Sequence, residues 1–522
     1  MSGQINLNSA LKASTKNQDG VESSMSVLEV LAMRLAAPVD NATRSRAARH
    51  VLDWLASAQL GAMQPAAAGF IALAGQSSPG YCRTISGGSV DWWHALQLNA
   101  AVGNIMEMDD LHRTSILHPG PVIVPAAIAV AEKVGASGAE LLDAIVRGYE
   151  AMIRIGRALG TSHYKYFHNT STCGSFGAAA AAASLLKLNH AETVSALANA
   201  GSRTGGLWQM RHEACETKSV HNAMAAQTGV QSALLAAAGV RGPKQLLEGP
   251  QGLFAATTDH ADPHAVLAQM GEKDSWLIHD VSFKPWPACR HAHPAIDAAL
   301  AIANMLAARG AELKQAAATG VTEIGAPEIR TIEVSTYKSA IDFCNMPRPT
   351  TEAEAKFSLQ HSVAVTLLRG LAGELPQLAD FAVNNLDAAN VAALRQRVSV
   401  VEDAEQTAAF PTHYAARVTV TLPNGEVLTH MQADAWGDPE LPLSPQGLET
   451  KFFTLFDAAG VDRVVARAVL TATLALPSVS SVSAWTALWP NVVVQQSVAP
   501  QSVVPQSAVQ HSVVLDAARK LA

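Results

Sequence analysis

The sequence predicts a mainly α protein: a large all-helical domain built from both chain ends, with a smaller α+β lid domain inserted between them. Three observations predict this. Ala-rich stretches with helical periodicity, separated by short Gly, Pro or Asn breaks, fill most of 26–271. Strand-like alternation then appears between about 281 and 436, and a helical pattern returns after it. The composition is 49% hydrophobic and only 16% charged over 522 residues, so much of the chain must be buried in a core or at a subunit interface.

Taken in order, residues 1–24 are polar, lack the apolar stretch of a signal peptide and are expected to be a mobile tail. Residues 25–280 form the first part of the helical domain, with clear helical periodicity at 140–157, 177–188 and 190–200. Their small residues let helix axes approach closely, and Gly174 and Gly177 suggest one such crossing. Residues 281–436 form the lid. Strands are expected at 331–337, 397–401, 416–422 and 426–430, the last two joined by a Pro423-Asn424-Gly425 hairpin turn. Residues 437–476 return to the helical domain. Residues 477–522 are rich in Ser, Val, Gln and Pro with near-repeats, and read as a low-complexity tail. Removal of 1–20 and 485–522 is expected to leave folding unchanged.

Several functional classes are disfavoured. The net charge is −7 with no long basic run, which argues against nucleic acid as a partner. Apolar stretches are interrupted before about 18 residues, so no membrane span is expected. The five cysteines are far apart and have no CxxC spacing, which fits reduced thiols in a cytoplasm. No GxSxG, GxGxxG or GxxxxGK[ST] pattern occurs, and His212-Glu213 does not complete HExxH. Neither a metal nor an organic cofactor is expected.

What remains is a recurring arrangement of His and Lys at helix starts. It occurs at His118-Pro119-Gly120, at His168-Asn169-Thr170, at Lys218 with His221, and from Lys284 through Arg290-His291-Ala292-His293. A helix N-terminus carries unpaired N–H groups and about half a positive charge, so cations gather there comfortably only beside an anion. Several such ends converging on one small carboxylate-rich molecule would explain the pattern. Lys218, Lys284 and Arg290 are candidate carboxylate holders, and the Thr170 hydroxyl could join them. Lys218 and His221 share a helix face, and burial of both would depress their pKa values. The acidic segment Glu107-Met108-Asp109-Asp110 precedes His118. Its carboxylates must be solvated, paired or protonated; one could orient a histidine or shuttle a proton.

These segments, in this order, resemble the MmgE/PrpD family from about residue 26 to 476. The recognisable pieces are Met108-Asp109-Asp110, His118-Pro119-Gly120, His168-Asn169-Thr170-Ser171-Thr172 with Phe176-Gly177, and Thr217-Lys218 with His221. They continue with 284–289, His293 and 354–358. The family includes 2-methylcitrate dehydratases, cis-aconitate decarboxylases and an iminodisuccinate epimerase. The resemblance implies a homodimer, a cleft between helical domain and lid, and no cofactor. It also implies His118, His168, His293 and Lys218 as catalytic groups, with Glu107 in the acidic motif and Asp109, Asp110, Thr170, His221, Lys284 and Arg290 around the substrate. Three positions depart from the decarboxylase branch: Glu107 stands for Asp, Leu111 for Thr and Phe343 for Tyr. One extra residue also separates the acidic motif from His118. The simplest expectation is a 2-methylcitrate dehydratase-like hydro-lyase working by His/Lys acid–base chemistry. An epimerase, a decarboxylase and a non-catalytic carboxylate-binding relative are the alternatives.

Overall fold

A computed structural model describes residues 25–213, 215–259, 261–268, 270, 275–317 and 329–491. The expected N-terminal tail, and the expected C-terminal tail beyond 491, lie outside the described residues.

Side chains sort into two main hydrophobic cores. The first draws on residues 28–283 and again on 443–489. The second draws on residues 286–428. The elements that matter for the site are, in the first core, α1 (Val27–Leu35), α2 (Asn41–Gly61), α3 (Trp92–Val102), α4 (Gly120–Val134), α5 (Gly138–Tyr164), α6 (Asn169–Leu185), α7 (His190–Gly201) and α8 (Thr217–Ala237). The second core contains α9 (His293–Ala317), α10 (Lys338–Cys344) and α11 (Leu359–Leu371). The chain then rejoins the first core through α12 (Pro445–Ala458), α13 (Arg463–Leu474) and α14 (Val482–Thr486). The fold is mainly α, as the periodicity indicates. One departure within the helical part is a hairpin of β1 (Pro79–Arg83) and β2 (Ser89–Val90), which turns through Gly87 and Gly88 at positive φ.

Helix α6 shows how the small residues work. All its residues except Ser184 are buried, so it is a helix enclosed on every side. Gly177 of α6 and Gly148 of α5 face one another. A methyl group on Gly177 would fall 2.5 Å from Ile123 Cδ1 and 2.8 Å from the Gly148 carbonyl oxygen. Only hydrogen at both positions lets the two backbones touch, and that contact fixes where the start of α6 lies.

In the second core the strands are β3 (Thr331–Thr336), β4 (Val398–Glu402), β5 (Ala416–Thr421) and β6 (Val427–Gln432), in sheet order β4-β3-β5-β6. β3 pairs parallel with β4 and antiparallel with β5, and β5–β6 is the expected hairpin. Strand β5 alternates buried and half-buried residues along its length, the pattern that identified it in the sequence. The two chain crossings between the cores lie side by side. The Phe283 N–H donates to the Gly437 carbonyl at 3.2 Å, and Gly437 has φ of 95°. A Cβ there would collide with the Phe283 carbonyl, so both the left-handed conformation and the close approach require glycine.

Residues 477–491 differ from their reading as the start of a low-complexity tail. Trp485 and Trp489, one helical turn apart, are each 2% exposed. Trp485 Nε1 donates to Thr473 Oγ1 at 3.0 Å, and the Trp489 ring lies 5.8 Å from that of Trp54. Two indoles outweigh the surrounding Ser and Val, because each buries a large apolar area. The five cysteines are free thiols, with only Cys215 exposed. Among the described residues, no helix is long and apolar enough to cross a membrane.

Candidate active site

Four segments meet: the loop from α3 to α4, the starts of α6 and α8, and the loop that leads into α9. At their centre Glu107 adopts φ of 55°, rare for a residue with a side chain and costing on the order of 1–2 kcal/mol. This turn aims its carboxylate at two lysines. Lys218 from α8 pairs with Glu107 Oε1. Lys284 lies 3.4 Å from Glu107 Oε2 and 3.5 Å from Asp109 Oδ1, and donates to the Glu107 carbonyl at 3.0 Å. Burial opposes ionisation of both carboxylates. For Glu107 the charges of Lys218 and Lys284 reverse that effect, and for Asp109 those of Lys284 and His118 do, so both stay below the usual carboxylate range. Lys284 is fully buried, which alone would lower its pKa, but Asp109 and Glu107 raise it.

The Asp110 carbonyl and the Asp109 charge hold His118 in place. The His118 Nδ1 is 2.8 Å from Asp109 Oδ2 and 3.0 Å from the Asp110 carbonyl oxygen. The hydrogen bond goes to the carbonyl, which leaves Asp109 Oδ2 a close charge without a hydrogen bond of its own. Both neighbours are oxygens, so Nδ1 carries the hydrogen and Nε2 is the basic nitrogen. Nε2 makes no hydrogen bond among the described residues. The His118 backbone N–H donates to Thr170 Oγ1 at 3.1 Å, so the polar start of α6 pins the loop rather than capping its own helix.

His168 is the N-cap of α6, and its Nδ1 lies 3.2 Å from His221 Nδ1 on α8. Burial is the main cause lowering the pKa of each ring; for His168, His221 and Lys218 add to it. Two neutral rings joined Nδ1 to Nδ1 must be opposite tautomers sharing one hydrogen. The partner of His221 is thus His168, and Lys218 looks instead to Glu107. A cavity of about 690 Å³ opens beside His221, lined also by Ser171, Thr204, Met210, Cys215 and Met224.

An aromatic wall closes the other side. Trp208 lies 4.6 Å from the His168 ring and 5.4 Å from Phe343 of α10. Phe343 lies 5.1 Å from His291, which stacks on Tyr414 and meets Tyr337 Oη at 2.6 Å through Nδ1. Burial, followed by the charge of His118, pushes the His291 pKa down to about 3.

Three expected site residues stand elsewhere. Asp110 is buried, with Oδ1 accepting from the Gly120 N–H at 2.8 Å and Oδ2 from Tyr149 Oη at 2.6 Å and His50 Nδ1 at 2.7 Å. It caps α4 and offers a substrate no free oxygen; it is the anion that this helix start requires. Burial raises its pKa to about 6 and lowers that of His50, so their contact is a neutral ring donating to a carboxylate. His293 is fully buried, with Nε2 on the Ala288 carbonyl at 3.0 Å and Nδ1 on Arg290 at 3.2 Å. Arg290 pairs with Asp438 and donates to the carbonyls of Trp436 and Ala435, tying the second crossing to the loop before α9. Glu107, Asp109, His118, His168, Lys218, His221 and Lys284 do come together, with Thr170 in support. Among the described residues, the group suited to holding a metal is Asp434, Asp438 and Glu440. The Arg113 guanidinium lies 2.6–3.3 Å from all three and already supplies their counter-charge.

Models of the MmgE/PrpD N-terminal and C-terminal domains match residues 30–265 and 286–474. The chain belongs to the MmgE/PrpD family. The boundary between the two matched domains falls at the crossing near Phe283, where the second core begins. Within the curated members of MmgE/PrpD, the chain is 29% identical over 367 residues to a human cis-aconitate decarboxylase, covering 69% of this chain and 71% of the relative. It is 28% identical over 370 residues to the mouse cis-aconitate decarboxylase, covering 69% and 70%. A cis-aconitate decarboxylase-like protein of Aspergillus oryzae is 32% identical over 203 residues, covering 36% and 42%.

In this MmgE/PrpD protein the sequence reading noted His291 at a helix start but gave the site role to His293, and it missed Tyr337, Tyr414 and Trp208. A signal for His291 against His293 was present. His293, Ile296, Ala299 and Ala303 follow helical spacing on the apolar face of α9, which marks His293 as a core residue. No comparable signal marks the aromatic wall, because its members come together only in three dimensions.

Proposed function

We propose that this protein is a cofactor-independent lyase acting on a small di- or tricarboxylate, with decarboxylation of a cis-aconitate-type acid as its first reading. The observation that carries the proposal is His118, held through Nδ1 by the Asp110 carbonyl beside the Asp109 carboxylate and open at Nε2, next to the Lys218–Glu107–Lys284 group. The lysines would hold a substrate carboxylate as charge builds on it. A protonated histidine would deliver its proton to the alkene carbon. The carboxylate on the neighbouring saturated arm would leave as CO2, and its bonding electrons would form the new double bond. The His168–His221 pair would return a proton to the site from water. The relatives named cis-aconitate decarboxylase, matched over about seven-tenths of both chains, support this reading.

A 2-methylcitrate dehydratase-like hydro-lyase is the second reading, favoured by the lining. Leu111 and Phe343 supply no hydroxyl, and Glu107 is longer by one methylene than the Asp of the decarboxylase branch. In that reaction a histidine removes the hydrogen beside a carboxylate and a second acid protonates the departing hydroxyl. The Tyr337 hydroxyl, hydrogen-bonded to His291, is a candidate for that acid. Mass spectrometry of the purified protein with cis-aconitate, 2-methylcitrate, citrate and iminodisuccinate decides between them. A product lighter by one CO2 supports the first reading and one lighter by water the second. Inactivity with all four acids counts against both. Activity is expected to survive exhaustive EDTA dialysis; loss restored by one divalent metal would overturn cofactor independence.

A further inference from the structure

Among the carboxylates and lysines at the centre of the site the charges cancel. Glu107 and Asp109 are matched by Lys218 and Lys284, each lysine already lies against a carboxylate, and His118 lies against Asp109. Burial holds His168, His221 and His291 towards the neutral form, so they add no standing positive charge. An incoming molecule with two or three carboxylates brings more negative charge than the two lysines can offset, so a further, unpaired cation favours its binding.

Such a cation stands at the rim. Arg211 lies on the short 3₁₀ turn Trp208–His212, in the strap between α7 and α8. It is exposed, and among the described residues it makes no ion pair and no hydrogen bond. Its guanidinium rests instead on the Phe343 ring, 4.3 Å from the centroid. Phe343 touches His291, and Trp208 on the same turn covers His168, so Arg211 stands over the junction of the two histidine groups. The charge of Arg211 is felt at both His291 and Tyr164. Its neighbours Gln209, Met210 and Glu213 line the outer cavity, which Arg211 does not. A guanidinium on an aromatic face is held more loosely than one in an ion pair, and its planar fork suits a carboxylate.

We propose that Arg211 is the docking cation for the substrate: it leaves the Phe343 face and takes the outermost carboxylate of an incoming polycarboxylate in a two-pronged contact. The proposal rests on the polycarboxylate lyase reading above. Arg211 then contributes to binding and charge balance and takes no part in bond making.

The test compares wild type, Arg211→Gln and Arg211→Lys, using cis-aconitate for turnover and tricarballylate as a binding probe in calorimetry. Arg211→Gln is expected to raise KM and Kd by roughly 10-fold or more, with kcat within about threefold. Arg211→Lys should recover part of the affinity, because it keeps the charge and loses the fork. The dependence of kcat/KM on ionic strength should flatten in Arg211→Gln. Unchanged KM and Kd in Arg211→Gln would overturn the role of Arg211 and leave the lyase reading standing. If the wild-type protein neither binds tricarballylate nor converts cis-aconitate, the polycarboxylate reading falls, and this proposal with it.

Discussion

At the scale of single residues, two histidines implied by the same resemblance have opposite expected behaviour. His118 stands in the cluster with a free Nε2, so His118→Gln should lower kcat about 100-fold or more while thermal melts stay near wild type. His293 is enclosed with both ring nitrogens bonded, so His293→Ala should lower stability by about 2–4 kcal/mol, with turnover per folded molecule largely retained. Kinetics and denaturant titrations on the two variants separate these outcomes. Asp110 gives a pH signature. Its ordinary pKa of 3.8 rises to about 6 on folding, so the folded state binds this proton more tightly than the unfolded state. Its contribution is therefore fully present below about pH 4 and lost as pH rises through about 6, a change of about 3 kcal/mol. Asp110→Asn keeps an acceptor for the Gly120 N–H and does not titrate. Its unfolding free energy should lack this decline between pH 4 and 6, and an unaltered slope would show that another group is responsible.

At the scale of elements, the crossing of α5 and α6 is the most demanding contact. Gly177→Ala gains about 1 kcal/mol of helix propensity but drives a methyl group into the Gly148 backbone, which cannot move aside. Overpacking of this kind costs about 1–3 kcal/mol, so the variant should be net destabilised in urea titrations. The crossing was legible in the sequence, because Gly174 and Gly177 interrupt an otherwise Ala-rich helix. The four-strand sheet was legible as well, through period-two alternation in 331–337 and 416–422 and through the Asn424-Gly425 turn. The loop between α3 and α4 was legible only in part. Three carboxylates in four residues announce pairing or protonation, but two residues at positive φ, Glu107 and Ile116, decide which carboxylate faces which partner. Nothing in the residue order fixes those angles. Asp110 therefore reads like Asp109 in the sequence and serves a different end in the fold.

At the scale of the whole molecule, the chain leaves its helical core once and rejoins it, and the rejoining segment extends beyond where composition suggested. A protein ending at Asn491 should melt like the full chain. One ending at 484 loses Trp485 and Trp489 and should be less stable by at least about 3–5 kcal/mol, by calorimetry. The expected homodimer has a candidate face on α8, where Val220, Met224 and Leu235 are 41%, 45% and 39% exposed. Light scattering should give twice the chain mass at micromolar concentration, and the double variant Val220→Glu, Met224→Glu should give a monomer. A monomeric wild type would remove this assignment. The indoles of Trp54, Trp485 and Trp489 also touch in series, with centroids 5.8 and 5.1 Å apart. Chromophores this close share their excited states. The protein thus carries its own optical gauge of the C-terminal segment: the contribution of this trio to the near-ultraviolet dichroism should be lost when the segment detaches, readable without any label.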